Sequence, residues 1–157
     1  MTQRDSNADP YEEEKAPDPM FENSVEALNL RSFNFYKEEV NMEQDVYKRM
    51  VKNMVAIGGF QYQKKEISNV RKLRGTSDIG YDYVYVGEMK EGTTNIPHGR
   101  GIQVYSDGLI RQGTYVNKKL HGIGRRVRRF GDYSIGQYKF DKKHGYVTEK
   151  RKKSTFV

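Results

Sequence analysis

The sequence predicts a mainly β protein: an elongated, single-layer antiparallel sheet of β-hairpins with one amphipathic helix N-terminal to it. Three observations carry that prediction. Residues 83–147 repeat themselves every 23 positions, and an internal period of that size marks a repeat architecture. His98-Gly99 recurs as His121-Gly122 and His144-Gly145, Gly101 recurs at Gly124, Gly108 at Gly131, and Gly113 at Gly136. Each unit also holds two runs of β-branched and aromatic residues divided by turn chemistry. Finally, only 35% of the 157 residues are hydrophobic, which fits a thin sheet better than a thick enzyme core.

Taken in order, residues 1–23 read as an acidic, extended tail. Seven acidic side chains stand there against two basic ones, with three of the four prolines. Such a segment either stays unfolded or orders on a partner. Residues 24–79 read as a helical and linker region. Val25, Leu28, Leu30, Phe33 and Phe35 fit neither period cleanly, and the expectation is a helix through Leu30 followed by an extended contact at 33–35. Val46, Tyr47, Met50, Val51, Met54 and Val55 recur at helical spacing, and Gly58-Gly59 stops the run. Asn41 with Gln44 resembles a capping box, so a helix is expected over about 41–57. Its Met/Val stripe packs either on the protein's own sheet or in a neighbouring subunit. Residues 59–63 alternate briefly, as an extra strand at the leading edge would, and 64–78 read as a polar loop.

Residues 80–148 form the repeat sheet. The first strand runs from Tyr83 to Lys90, the chain resumes at Gly101, and Ser106-Asp107-Gly108 gives a strong hairpin signal. The second unit runs from Arg111 to Asn117, turns over 118–122 and returns to Phe130-Gly131. A third starts at Ser134 and turns over 141–145. The repeated glycines are expected where φ is positive or where a side chain would block close packing. Residues 149–157 are a basic C-terminal tail.

These residues resemble the MORN (membrane occupation and recognition nexus) repeat. The pattern is carried by Tyr85, Gly87, Met89, His98-Gly99, Gly101 and Gly108, then by Gly113, Tyr115, His121-Gly122, Gly124 and Gly131, then by Gly136, Tyr138 and His144-Gly145. The leading Tyr is Arg111 in the second unit and Ser134 in the third, Val147 stands where a glycine is expected, and the first unit carries three extra residues before Pro97-His98. A thin aromatic ladder that ends at the third hairpin is therefore expected. The resemblance implies a cytoskeletal or ciliary, including axonemal, assembly. It also implies two other settings: an accessory subunit of a membrane complex in mitochondria, or a peripheral module on phospholipid. Some relatives join such repeats to lipid-kinase or methyltransferase domains, and no stretch here is left to encode one.

Charge is segregated. Residues 1–23 carry +2 and −7, residues 24–70 carry +7 and −6, and residues 71–157 carry +19 and −8, which sum to the net +7 of the chain. The densest cations are Arg125, Arg126, Arg128 and Arg129, followed by Lys150, Arg151, Lys152 and Lys153, and these are the expected partner- or anion-binding residues. Strand alternation puts Arg126 and Arg128 on one face, with Arg125, Val127 and Arg129 on the other. An acidic protein surface is the preferred partner. A face that meets water alone is the next reading, and anionic lipid follows, since each basic residue near such a membrane gains roughly 1 kcal/mol. Nucleic acid ranks below these, because no recognised nucleic-acid module accompanies the charge.

Catalysis is not expected. Equivalent histidines in successive hairpins stand roughly 10 Å apart at two strand spacings, too far to share a zinc that needs each nitrogen at about 2.0–2.1 Å. Each is read instead as a turn histidine packing on its own hairpin. The Gly-x-Gly pairs lead into strands and not helix N-termini, so they should not cradle phosphate. No nucleophile elbow, Walker loop or dinucleotide fingerprint occurs. With no cysteine there is no disulfide or thiolate site, and neither cofactor nor metal is expected. No apolar run reaches transmembrane length, and the N-terminal residues suit neither a secretory leader nor an Arg-rich transit peptide. The expectation is a non-catalytic scaffold or adaptor, in cytoplasm or cilium with the mitochondrion as the alternative.

Overall fold

The computed structural model describes residues 33–62 and 67–151. Two helices come first, α1 (Phe33–Glu39) and α2 (Gln44–Ile57). Seven strands follow: β1 (Val70–Thr76), β2 (Asp82–Met89), β3 (Pro97–Tyr105), β4 (Ile110–Val116), β5 (Lys119–Val127), β6 (Tyr133–Lys139) and β7 (Lys142–Lys150). They lie in chain order in one open sheet, each antiparallel to its neighbours. The chain thus forms the mainly β hairpin sheet that its period predicts.

Alternation along the strands divides the apolar residues between two faces. Val84, Val86, Ile102, Val104, Ile110 and Val127 point to one face and form a single core with Tyr36 of α1 and Met50 and Met54 of α2. Tyr85, Met89, Tyr115, Leu120 and Tyr138 form a separate cluster on the other face. The Met stripe of α2 therefore packs on the protein's own sheet. A row of glycines crosses the sheet between the tyrosines. Register places Gly87 opposite Gly101, Gly101 opposite Gly113, Gly113 opposite Gly124, Gly124 opposite Gly136, and Gly136 opposite Val147. A Cβ on Gly101 would enter the ring of Tyr85, and one on Gly113 would stand 2.5 Å from the carbonyl oxygen of Ile123. Gly113 also has φ 141°, which L side chains rarely adopt.

The N-terminal half departs from expectation in four places. The stretch 33–35 is helical, as the first turn of α1, and the expected helix through Leu30 lies outside the described residues. Asn41 ends α1 instead of starting α2: its φ is 51°, a left-handed conformation that Asn tolerates, and Met42 N–H donates back to Lys37 O at 2.9 Å. α2 begins after Glu43, whose side chain makes no cap bond, while Gly58 closes it as expected. The described residues of 59–63 form no strand. They bury Phe60 and Tyr62 on the helix side, with the Tyr62 hydroxyl donating to Gly101 O at 3.0 Å. The expected polar loop at 64–78 contains β1, which pairs with β2 from Val70↔Glu88 to Thr76↔Asp82. Glu39 holds α1 over this strand through Lys72 at 3.2 Å and Arg74 at 3.5 Å.

Candidate functional site

The 23-residue period has a structural cause that local spacing does not reveal. The β4–β5 hairpin turns on Asn117 and Lys118, and the β6–β7 hairpin on Phe140 and Asp141, all four with φ between 46° and 75°. Two-residue turns of this hand match the sheet twist but strain residues other than glycine. Each turn is held by the strand before it. His98 Nδ1 accepts from Asn117 N–H at 3.2 Å while Pro97 O accepts from Lys118 N–H at 2.8 Å. One repeat on, His121 Nδ1 accepts from Phe140 N–H at 3.2 Å and Leu120 O from Asp141 N–H at 2.8 Å. The histidines are thus strand residues that clamp the next hairpin, not turn residues packing on their own. The glycine after each has positive φ (Gly99 107°, Gly122 102°, Gly145 73°), and the register shifts there on β3, β5 and β7. These bulges re-aim the histidine toward the following strand. Asp107-Gly108 and Gly131 make the opposite tips, where Gly108 N–H and Gly131 N–H donate to Tyr105 O and Arg128 O, each at 2.9 Å.

The tyrosine ladder is buried. Tyr115 stacks edge-on against Tyr85 with ring centres 5.0 Å apart, and its hydroxyl donates to Arg111 O at 2.9 Å. Tyr138 repeats that bond to Ser134 O at 3.4 Å. The positions that lack the leading Tyr are put to polar use: the Arg111 guanidinium pairs with Asp141 from the β6–β7 turn and donates to Tyr105 Oη at 3.1 Å. Burial pushes the hydroxyls of Tyr62, Tyr85 and Tyr115 above the ordinary tyrosine range.

The predicted cationic cluster divides. Arg125 is only 3% exposed. It lies on the helix side, donates to Gln112 Oε1 from Nη2 at 2.5 Å and from Nε at 3.2 Å, and stacks its guanidinium 5.8 Å from the Phe60 ring. Burial pulls its pKa below the usual arginine value. Arg125 therefore acts inside the fold. Arg126 is half-buried on the opposite face, above the Tyr138 ring and 3.4 Å from Asp141 O. Arg128, Arg129, Lys150 and Arg151 are exposed, and Lys152 and Lys153 lie outside the described residues. Sequence reasoning missed Arg49. It approaches Phe130 from α2 at 5.8 Å while Arg129 covers the same ring at 4.7 Å, and Phe130 itself is 52% exposed. Asn53 of α2 fixes this tip by donating to Arg129 O at 3.0 Å. A shallow cleft nearby is lined by Arg126, Arg128, Lys143, Lys150 and Arg151, with Glu149 and Asp132 between them.

Such a surface is open, cationic and studded with single aromatics, and it defines a repeat-built binding protein. Its repeats are MORN repeats: the family profile of that description matches residues 95–110, 112–129 and 135–146, three consecutive copies along β3 to β7. Residues 95–146 of this chain therefore carry MORN repeats. A protein of Plasmodium berghei (strain Anka) named "Inactive protein tyrosine kinase pTKL" is 29% identical over 76 residues, 48% of this chain. The match spans 6% of that protein's length. Repeats of this kind suggest a role in binding protein or membrane. No helix of the described residues is long and apolar enough to cross a membrane.

Proposed function

We propose that this protein is a structural scaffold or adaptor subunit of a large protein assembly, cytoskeletal or ciliary axonemal, and that acidic protein surfaces meet its cationic end. The observation that carries this reading is the position of the exposed charge. Arg128, Arg129, Lys142, Lys143, Lys150 and Arg151 gather at the β5–β7 end of a sheet whose last strand, among the described residues, is an open edge. An unpaired edge left in solution is a liability, and cover by another chain removes it. An accessory subunit in a mitochondrial membrane complex is the alternative setting for the same chemistry. A peripheral phospholipid role has its own supporting observation: exposed Phe130 between Arg49 and Arg129 suits an anionic headgroup layer.

Native purification from source cells, with size exclusion before and after a salt step, tests the reading. Co-elution with one defined complex that survives moderate salt is expected. Elution as a free monomer that binds only acidic liposomes would replace the scaffold with the lipid module.

A further inference from the structure

The histidine-glycine bulge through which His98 and His121 clamp the following hairpin recurs at His144, on the last strand of the sheet among the described residues. His144-Gly145 has the same bulge, the same positive φ at glycine and the same 23-residue phase. Its strand differs in one respect: β7 is exposed along almost its whole length, and Tyr146 is 90% exposed. On the helix side the row continues through Ile123, 48% exposed and two strands inward. An edge strand offers a row of unsatisfied N–H and C=O groups, and here that row carries the device that seats the next hairpin.

Charge selects what can lie there. β7 carries Lys142, Lys143 and Lys150 against Glu149, a net of +2. A second copy presenting β7 would bring another +2, and one presenting β1 would bring Arg71, Lys72 and Arg74. Like charges directly opposite destabilise a strand pair, and opposite charges stabilise it. The chain's own acidic segment is a poor strand, since Pro10, Pro17 and Pro19 interrupt its N–H row. We infer that β7 accepts an acidic β-strand from a partner protein as an eighth strand of the sheet, antiparallel to β7 and with its turn seated on His144. This rests on the scaffold reading and names the class of partner at that site.

The probe is a nine-residue peptide alternating Glu with Val or Thr, added to the full-length chain at low salt and followed by fluorescence anisotropy. A copy N-methylated at alternate amides keeps every charge but cannot complete a ladder. The expected result is binding that drops at least about tenfold on N-methylation, with hydrogen exchange slowed along residues 142–150. His144→Ala should weaken it several-fold, and the Lys142→Glu, Lys150→Glu chain should lose it. Equal binding of the methylated peptide would reduce the site to charge alone and overturn the proposal. So would tighter binding of a peptide of residues 1–23, which would make the occupant the chain's own segment. A native complex that co-elutes while 142–150 still exchange fast would sink this inference and leave the scaffold intact. The absence of any complex would sink the scaffold while the peptide result still stood.

Discussion

Gly113 has no room for a methyl group, because Ile123 O and the Gly124 Cα stand 2.5 and 2.6 Å from where a Cβ would be. Its φ of 141° adds backbone strain for any other residue. Gly113→Ala should therefore cost roughly 2–4 kcal/mol from strain and overpacking together, read as a lower urea midpoint with unchanged slope. An unchanged midpoint would mean that the strands part easily at the glycine row. Arg125 sets a second residue-scale test. Arg125→Ser removes the guanidinium from Gln112 Oε1 and from the Phe60 ring and should lower stability by about 1–3 kcal/mol. Arg129→Ser, on the exposed tip, should change it by less than about 0.5 kcal/mol. Thermal unfolding of the two variants separates the buried arginine from the exposed one.

At the scale of elements, the helix pair is what gives one sheet face its core. Met50 is fully buried among strand valines and isoleucines, so Met50→Ala should cost about 2–5 kcal/mol. The tyrosines supply a pH test. Tyr62, Tyr85 and Tyr115 have folded-state pKa values above the ordinary value of about 10 because burial disfavours the phenolate. A raised folded pKa stabilises the fold fully below the unfolded value, and that stabilisation fades as pH rises past about 10. Tyrosinate absorbance should therefore show Tyr62, Tyr85 and Tyr115 ionising together with loss of the sheet. Ionisation of these three before the sheet is lost would contradict the buried ladder. The β3–β4 and β5–β6 tips and the Gly58 stop were legible in sequence because glycine marks them directly, whereas the turns expected over 118–122 and 141–145 fall at 117–118 and 140–141, with the histidine-glycine pairs inside β5 and β7. β1 was not, because an exposed edge strand reading Val-Arg-Lys-Leu-Arg-Gly-Thr shows no apolar alternation. The histidine clamp was half legible: the period singled the residues out, but the bonded turn lies 19 positions away.

Across the described residues, the protein is a ribbon of hairpins, backed by two helices and basic at its β7 end. Alternation placed Arg125 and Val127 together in sequence, yet which face the helices would cover was not written in local spacing. That is why alternation divides the cationic cluster between two faces without telling which arginine the helices bury. The role proposed for the exposed cations at the β5–β7 end is to hold a partner, while Arg125 holds the fold. The direct measurement compares the chain carrying Arg128→Ser, Arg129→Ser and Lys150→Ser with the unaltered chain. Circular dichroism reads the sheet, and recovery of the native complex reads binding. The expected outcome is an unchanged spectrum and melting point with several-fold less complex recovered. Full recovery of the complex by the triple variant would contradict it.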